Sequence, residues 1–208
     1  MKIKIEHLYK SINKARILED VNMELESGHI YGFQGENGSG KTMLLRAISG
    51  LIHATDGTIT IDGKVLGRDI SFPPDMGILL ENPAFLAEYT GYENLKMLAG
   101  IRGKHPDIRG ILKEVGLEPD DRRKYRKYSL GMKQRLGIAS AFMENPQLLI
   151  LDEPFNALDK EGQEKIAGMI LEKKQEGCLV LLTSHDKAEL ERLSDEIFFV
   201  ENGRFFKK

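Results

Sequence analysis

A second cysteine is missing from this 208-residue chain, so no intrachain disulfide can form and no cysteine-rich metal site is available. The one cysteine, Cys178, stands in the apolar stretch 178–182, which points to a buried, inert thiol. That stretch is also the longest unbroken apolar run, at five residues. A membrane span needs about 20, so work at a membrane would require a partner. Residues 1–6 alternate charge with isoleucine and lack the apolar core of a signal peptide. A reducing, cytoplasmic setting fits. There is little net charge: −2 gives no electrostatic footprint for nucleic acid, and none is expected as a partner. Internal repeats, low-complexity tracts and Pro/Ser-rich linkers are absent too. The length suits one domain spanning 1–208.

What is present alternates. Ile3, Ile5 and Leu8 alternate with polar residues, as do Val21, Met23 and Leu25. A short apolar strand over 29–34 runs into a glycine-rich turn and then a helix with Met43, Leu44, Ala47 and Ile48 on one face. Asp62-Gly63 signals a hairpin. From about 84 to 145 the period is helical. Beyond it, strand 147–151, helix 160–174, strand 179–183, helix 187–193 and a final strand 196–200 follow. This order predicts an α/β fold: a mostly parallel sheet, an antiparallel N-terminal part and an inserted helical subdomain over 84–145.

Two motifs carry chemistry. Gly35-Glu36-Asn37-Gly38-Ser39-Gly40-Lys41-Thr42 matches the phosphate-loop pattern G-x-x-x-x-G-K-[ST]. Its glycines let backbone N–H groups converge on phosphate oxygens, and the helix that follows adds its positive end. Lys41 is placed for the β- and γ-phosphates and Thr42 for Mg²⁺. The second motif is an apolar strand ending in Asp152-Glu153, at the strand end where ligands sit on such sheets. Asp152 suits Mg²⁺, and Glu153 suits a general base acting on water.

The order of these motifs resembles that of ATP-binding-cassette ATPases over essentially the whole chain. By that resemblance, Ser129 and Gly131 in Tyr128-Ser129-Leu130-Gly131-Met132-Lys133-Gln134-Arg135 contact ATP held by an opposite subunit. The working unit is then a homodimer, or a heterodimer with another such ATPase. Leu130 and Met132 depart from the commonest form of that motif. Asn156-Ala157-Leu158-Asp159 resembles the family's D-loop. His185, in Thr183-Ser184-His185-Asp186, resembles its switch histidine beside the γ-phosphate. Glu81 stands where the family has a glutamine, and a carboxylate there can still ligate Mg²⁺. Ile12 stands where an aromatic residue stacks on adenine, which implies weak stacking and loose nucleotide discrimination. The basic run Arg122, Arg123, Lys124, Arg126, Lys127 reads as a solvated helix face, the alternative being a face toward anionic lipid or a membrane partner.

The segments 80–83, 90–95 and 128–135 look like drug- and bacteriocin-exporter subunits of bacteria. The resemblance therefore implies an ATPase that powers export through polytopic membrane-spanning subunits, peripheral on the inner face of the cell membrane. Phe85, Leu86, Tyr89 and Tyr92 are apolar candidates for the groove that receives such a partner. The alternative is a soluble ATPase of the same fold, such as an iron–sulfur assembly factor. A chromosome- or repair-type ATPase needs coiled-coil or DNA-binding segments, and the sequence has neither.

Overall fold

The computed structural model describes residues 1–80, 83–101 and 103–208. Strands β1 (Lys2–Ile12) and β2 (Ala15–Glu26) pair antiparallel about Asn13 and Lys14. Both turn residues are left-handed, with φ 48° and 69°, as a two-residue hairpin with the right twist requires. Ile3 and Ile5 are buried against exposed Lys2 and Lys4. The next buried residue is Leu8 rather than His7, because the register shifts between Ile5 and Leu8 and His7 takes φ 48°. This irregularity keeps Leu8 on the core face.

The chain then lays down β3 (Ile30–Gly35), α1 (Lys41–Ile48), β4 (Asp56–Ile61), β5 (Lys64–Val65) and β6 (Met76–Leu79). β4 pairs with β1 and turns through Asp62-Gly63 into β5, so one antiparallel sheet has the order β2-β1-β4-β5. Between β6 and β7 (Leu148–Asp152) the described structure is helical: α2 (Gly91–Ile101), α3 (Ile108–Glu114), a 3₁₀ turn (Tyr125–Lys127) and α4 (Leu130–Phe142). The rest is α5 (Lys160–Gln175), β8 (Leu179–Thr183), α6 (Lys187–Leu193), β9 (Glu196–Glu201) and β10 (Arg204–Lys207).

The second sheet has the order β10-β9-β3-β8-β7-β6, parallel except for the β9–β10 hairpin. Strand β9 is therefore not the last. β10 turns back through left-handed Asn202 and Gly203 and pairs Phe206 with Phe199.

Every residue of β7 and β8 is buried. Leu148, Ile150, Leu179 and Leu181 pack in one core with α1 and the four-stranded sheet. Leu149, Leu151, Val180 and Leu182 pack in the other, with α4, α5 and α6. A strand covered on both faces has no polar side to alternate with, which is why these two read as unbroken apolar runs. α4 lies close on β6, because a Cβ at Gly77 would run into the Ala141 carbonyl.

The basic run is not a helix face. Arg122, Arg123 and Lys124 belong to no helix or strand, and only Tyr125–Lys127 makes a single 3₁₀ turn. Buried Tyr125 and Tyr128 anchor the segment. The amides of Tyr125 and Arg126 donate to the carbonyls of Tyr89 and Ala87, so these donors are committed outside any helix. Three of the cations are ion-paired: Arg123 with nearby Asp121 at 2.8 Å, and Lys124 and Arg126 across to Glu93 at 3.4 Å and Glu88 at 3.0 Å.

Candidate functional site

The site gathers where β3, β7 and β8 end. Past Gly35 the chain curls through Gly38 and Gly40, with φ 81° and 116°, before α1 begins at Lys41. Side chains of Asp107, Ser129, Asp159 and Asp186 cap α3, α4, α5 and α6. Gly40 has no side chain to cap α1, and the first turn of α1 carries no acid. The positive end of this helix therefore faces the loop without a side-chain acceptor. The Lys41 side chain folds back into the loop, and its Nζ donates to the carbonyls of Gly35 (2.6 Å) and Glu36 (3.0 Å). The Ser39 hydroxyl is buried in the same loop without a hydrogen-bond partner. A phosphate oxygen would satisfy that donor and compete with the two carbonyls for the ammonium.

A chain of hydrogen bonds crosses the sheet ends. Thr42 Oγ1 donates to Asp152 Oδ2 at 2.6 Å, and Thr183 Oγ1 donates to Asp152 Oδ1 at 2.5 Å. The Thr183 hydroxyl also accepts the Glu153 amide at 2.9 Å. Glu153 is left-handed, with φ 51°, so the backbone leaves the strand line there. Its Oε2 lies 2.8 Å from His185 Nδ1 and accepts the His185 amide at 3.2 Å. Gln134, from α4, donates to the carbonyls of Glu153 (3.2 Å) and Pro154 (3.0 Å). Arg135 bridges the Val115 carbonyl and Asp159 Oδ1, both at 2.7 Å.

A cavity of about 510 Å³ opens over this chain. Lys41, Thr42, Gln134, Asp152, Glu153 and Asn156 give it polar walls, while Ile12, Ile17 and Met43 give it an apolar one. A second cavity of about 550 Å³ lies on the other side of the loop, between Gly35, Glu36, Asn37 and His185.

The expected residues 35–42, Asp152, Glu153 and His185 are thus brought together. Ser129 and Gly131 stand apart at the start of α4, where Ser129 accepts the Met132 amide at 3.2 Å and Gly131 abuts the Ala157 carbonyl. The cavity reaches α4 at Gln134 instead. Glu81 lies outside the described residues. Sequence reasoning gave no role to Thr183 or Gln134. The available signals were a lone hydroxyl closing an apolar strand and an amide one turn into α4.

The donor set suits Mg²⁺. Thr42 and Asp152 offer hard oxygens, and that ion is usually held by one or two carboxylates with substrate phosphates. Among the described residues no group of three His, Cys, Asp or Glu could hold a metal by itself.

The ABC transporter family matches residues 18–156. This chain is an ABC transporter ATP-binding subunit. It is 44% identical to the uncharacterized ABC transporter ATP-binding protein YybJ of Bacillus subtilis, over 97% of this chain and 94% of that one. It is 37% identical to the lantibiotic transport ATP-binding protein SrtF of Streptococcus pyogenes, over 97% and 88%. Identity to the bacitracin transport ATP-binding protein BcrA of Enterococcus faecalis is also 37%, over 99% and 68%. Among solved structures, the ATP-binding subunit of an ABC transporter superposes with a TM-score of 0.90 at 29% identity, covering 100% of this chain and 90% of that one. The ABC subunit binds ATP and hydrolyses it to power transport. No helix among its described residues is long and apolar enough to cross a membrane.

Proposed function

We propose that this ABC subunit hydrolyses ATP in a sandwich of two subunits, each loop facing the other's segment 128–135, and that the cycle drives export through a separate polytopic membrane subunit. In this reading residues 35–42 cradle the triphosphate, and Lys41 exchanges its two loop carbonyls for phosphate oxygens. Thr42 and Asp152 hold Mg²⁺, which neutralises phosphate charge when bound. Glu153 takes a proton from the attacking water, and His185 orients the Glu153 carboxylate. Glu81 adds a further oxygen ligand. Ser129 and Gly131 meet the nucleotide of the partner subunit, which is a second copy or a related ATPase. The chain forms one domain, with 84–145 as the inserted helical subdomain that carries those two residues. It sits on the cytoplasmic face of the membrane through its partner.

The observation that carries the reading is the hydrogen-bond chain Thr42–Asp152–Thr183–Glu153–His185. It fixes the Asp152 and Glu153 carboxylates beside one phosphate loop, which supports reading the first as the metal ligand and the second as the base. Export as the direction is supported by the relatives named for lantibiotic and bacitracin transport.

Glu153→Gln tests it. The change keeps shape and removes the base, so hydrolysis should fall by about 10²–10⁴. ATP binding should persist and an ATP-bound dimer should accumulate on size-exclusion chromatography with ATP and Mg²⁺. A variant that stays monomeric at saturating ATP refutes the sandwich.

A further inference from the structure

We propose that Tyr128 is a positioning residue for Ser129: its buried hydroxyl holds the start of α4 against the start of α2 and so sets where Ser129 meets the nucleotide of the second subunit. The inference rests on the sandwich reading and adds to it a residue that touches no nucleotide. Ser129 is exposed, and its side chain caps its own helix through the Met132 amide. Between α3 and α4 the chain makes only one 3₁₀ turn, so no regular element carries Ser129 into place. Tyrosine side chains do so instead. The Tyr125 hydroxyl donates to the Pro83 carbonyl, and the Tyr128 hydroxyl accepts the Gly91 amide at 3.2 Å. The two rings lie 5.9 Å apart, and both residues are buried.

The surface that meets Tyr128 is shaped for it. Gly91 opens α2, and the first amides of a helix have no partner within it. Thr90 and Glu93 cap each other: the Thr90 amide donates to the Glu93 carboxylate at 2.7 Å, and the Glu93 amide to the Thr90 hydroxyl at 3.2 Å. The Gly91 amide falls outside that cap and is buried, and the Tyr128 oxygen is the acceptor that satisfies it. A Cβ at Gly91 would stand 2.7 Å from that oxygen, so only glycine lets the hydroxyl in. Buried Asn94 accepts the Leu86 amide and donates to the Thr90 carbonyl, each at 2.9 Å, which steadies the segment before α2.

Without the hydroxyl, the Gly91 amide is satisfied only by water, and water reaches it only when Tyr128 parts from α2. That opening carries Ser129, the next residue, with it. The folded chain then spends part of its time with Ser129 out of place, and apparent affinity falls with the fraction that stays competent. Each subunit of the sandwich contributes one Ser129, so the fraction enters twice. A competent fraction of about one third lowers dimer affinity about tenfold.

The experiment places Tyr128→Phe in the Glu153→Gln chain and measures dimerisation with ATP and Mg²⁺ by analytical ultracentrifugation. The dimer dissociation constant should rise about tenfold, while displacement of a fluorescent ATP analogue from the monomer changes less than about twofold. With Glu153 intact, specific activity should need about tenfold more protein to reach the same plateau. A residue that only holds the fold together would lower the plateau instead. Gly91→Ala should weaken dimerisation in the same way, and added to Tyr128→Phe it should cost nothing more, because the oxygen it would strike is already gone. Gly91→Ala carries the test by itself if Tyr128→Phe does not fold. A folded Tyr128→Phe protein that dimerises like its parent overturns the proposal. So does a Gly91→Ala effect that simply adds to that of Tyr128→Phe. If the Glu153→Gln parent stays monomeric at saturating ATP, the sandwich reading fails and takes the proposal with it, a result told apart by Tyr128 being intact there.

Discussion

The Thr183 hydroxyl can be removed almost without changing volume, by Thr183→Val. Thr183 is fully buried, and its one oxygen donates to Asp152 and accepts from the Glu153 amide. Loss of a hydrogen bond to a carboxylate costs about 1.5–3 kcal/mol, and a stranded backbone amide costs about 1 more. Asp152 keeps its bond to Thr42, which limits the damage. The net expectation is about 2–3 kcal/mol of stability. With a urea slope of roughly 2 kcal/mol/M, the unfolding midpoint should drop by about 1 M. Function should suffer separately. The Glu153 amide is the anchor that holds this residue at φ 51°, so its carboxylate loses its fixed aim at the site. The kcat should fall more than KM rises, because the loop that binds the triphosphate is untouched. Thr183→Ser, which keeps the oxygen, should restore most of both. A Thr183→Val protein with a midpoint shift under about 0.3 M and normal kcat would refute the argument, and would mean that Thr42 alone sets Asp152.

The remaining predictions concern surface and core. Leu86 and Tyr89 are 54% and 43% exposed, while Phe85 is partly buried and packs edge-on against Tyr125. Leu86→Ser with Tyr89→Ser should therefore change stability by no more than about 0.5 kcal/mol, leave basal ATPase activity intact and reduce co-purification with the membrane subunit. Unfolding of that variant would place both residues in the core and refute the docking surface. Burial pushes the Cys178 thiol up to about 11, so at pH 8 only about one molecule in a thousand carries the reactive thiolate. A thiol reagent should label the denatured chain fully and the native chain barely, and rapid native labelling would contradict the burial.

Legibility from sequence followed the range of the interactions. The phosphate loop is eight contiguous residues whose glycines and helix start are local requirements, so it could be read directly. Strands β7 and β8 could be read as apolar runs because both faces are covered. β10 was missed because Arg204–Lys207 has two phenylalanines between charged residues and pairs with β9 only through a two-residue turn. The basic run was misread because its donors go to Ala87 and Tyr89, more than thirty residues back, and no local pattern announces that. Thr183 and Gln134 escaped notice for the same reason. Their partners lie 30 and 31 residues away for Thr183, and 19 and 20 for Gln134.

Strand order explains why those two matter. β8 lies between β3 and β7, so its last residue sits between the strand that feeds the loop and the strand that delivers the carboxylates. The register pairs Thr183 with Phe33 on one side and Asp152 on the other. A slip of one residue would turn Thr183 to the opposite face and put Leu182 or Ser184 opposite Asp152 in its place. Register is strongly specified here, because the same slip would also exchange the contents of the two cores. Gln134 adds the second constraint. It grips the carbonyls of Glu153 and Pro154, the point at which the backbone turns left-handed. The start of α4 cannot shift without straining those bonds or carrying the Glu153 backbone with it. Whatever moves α4 therefore acts on the position of the Glu153 carboxylate, and whatever moves that carboxylate acts on α4.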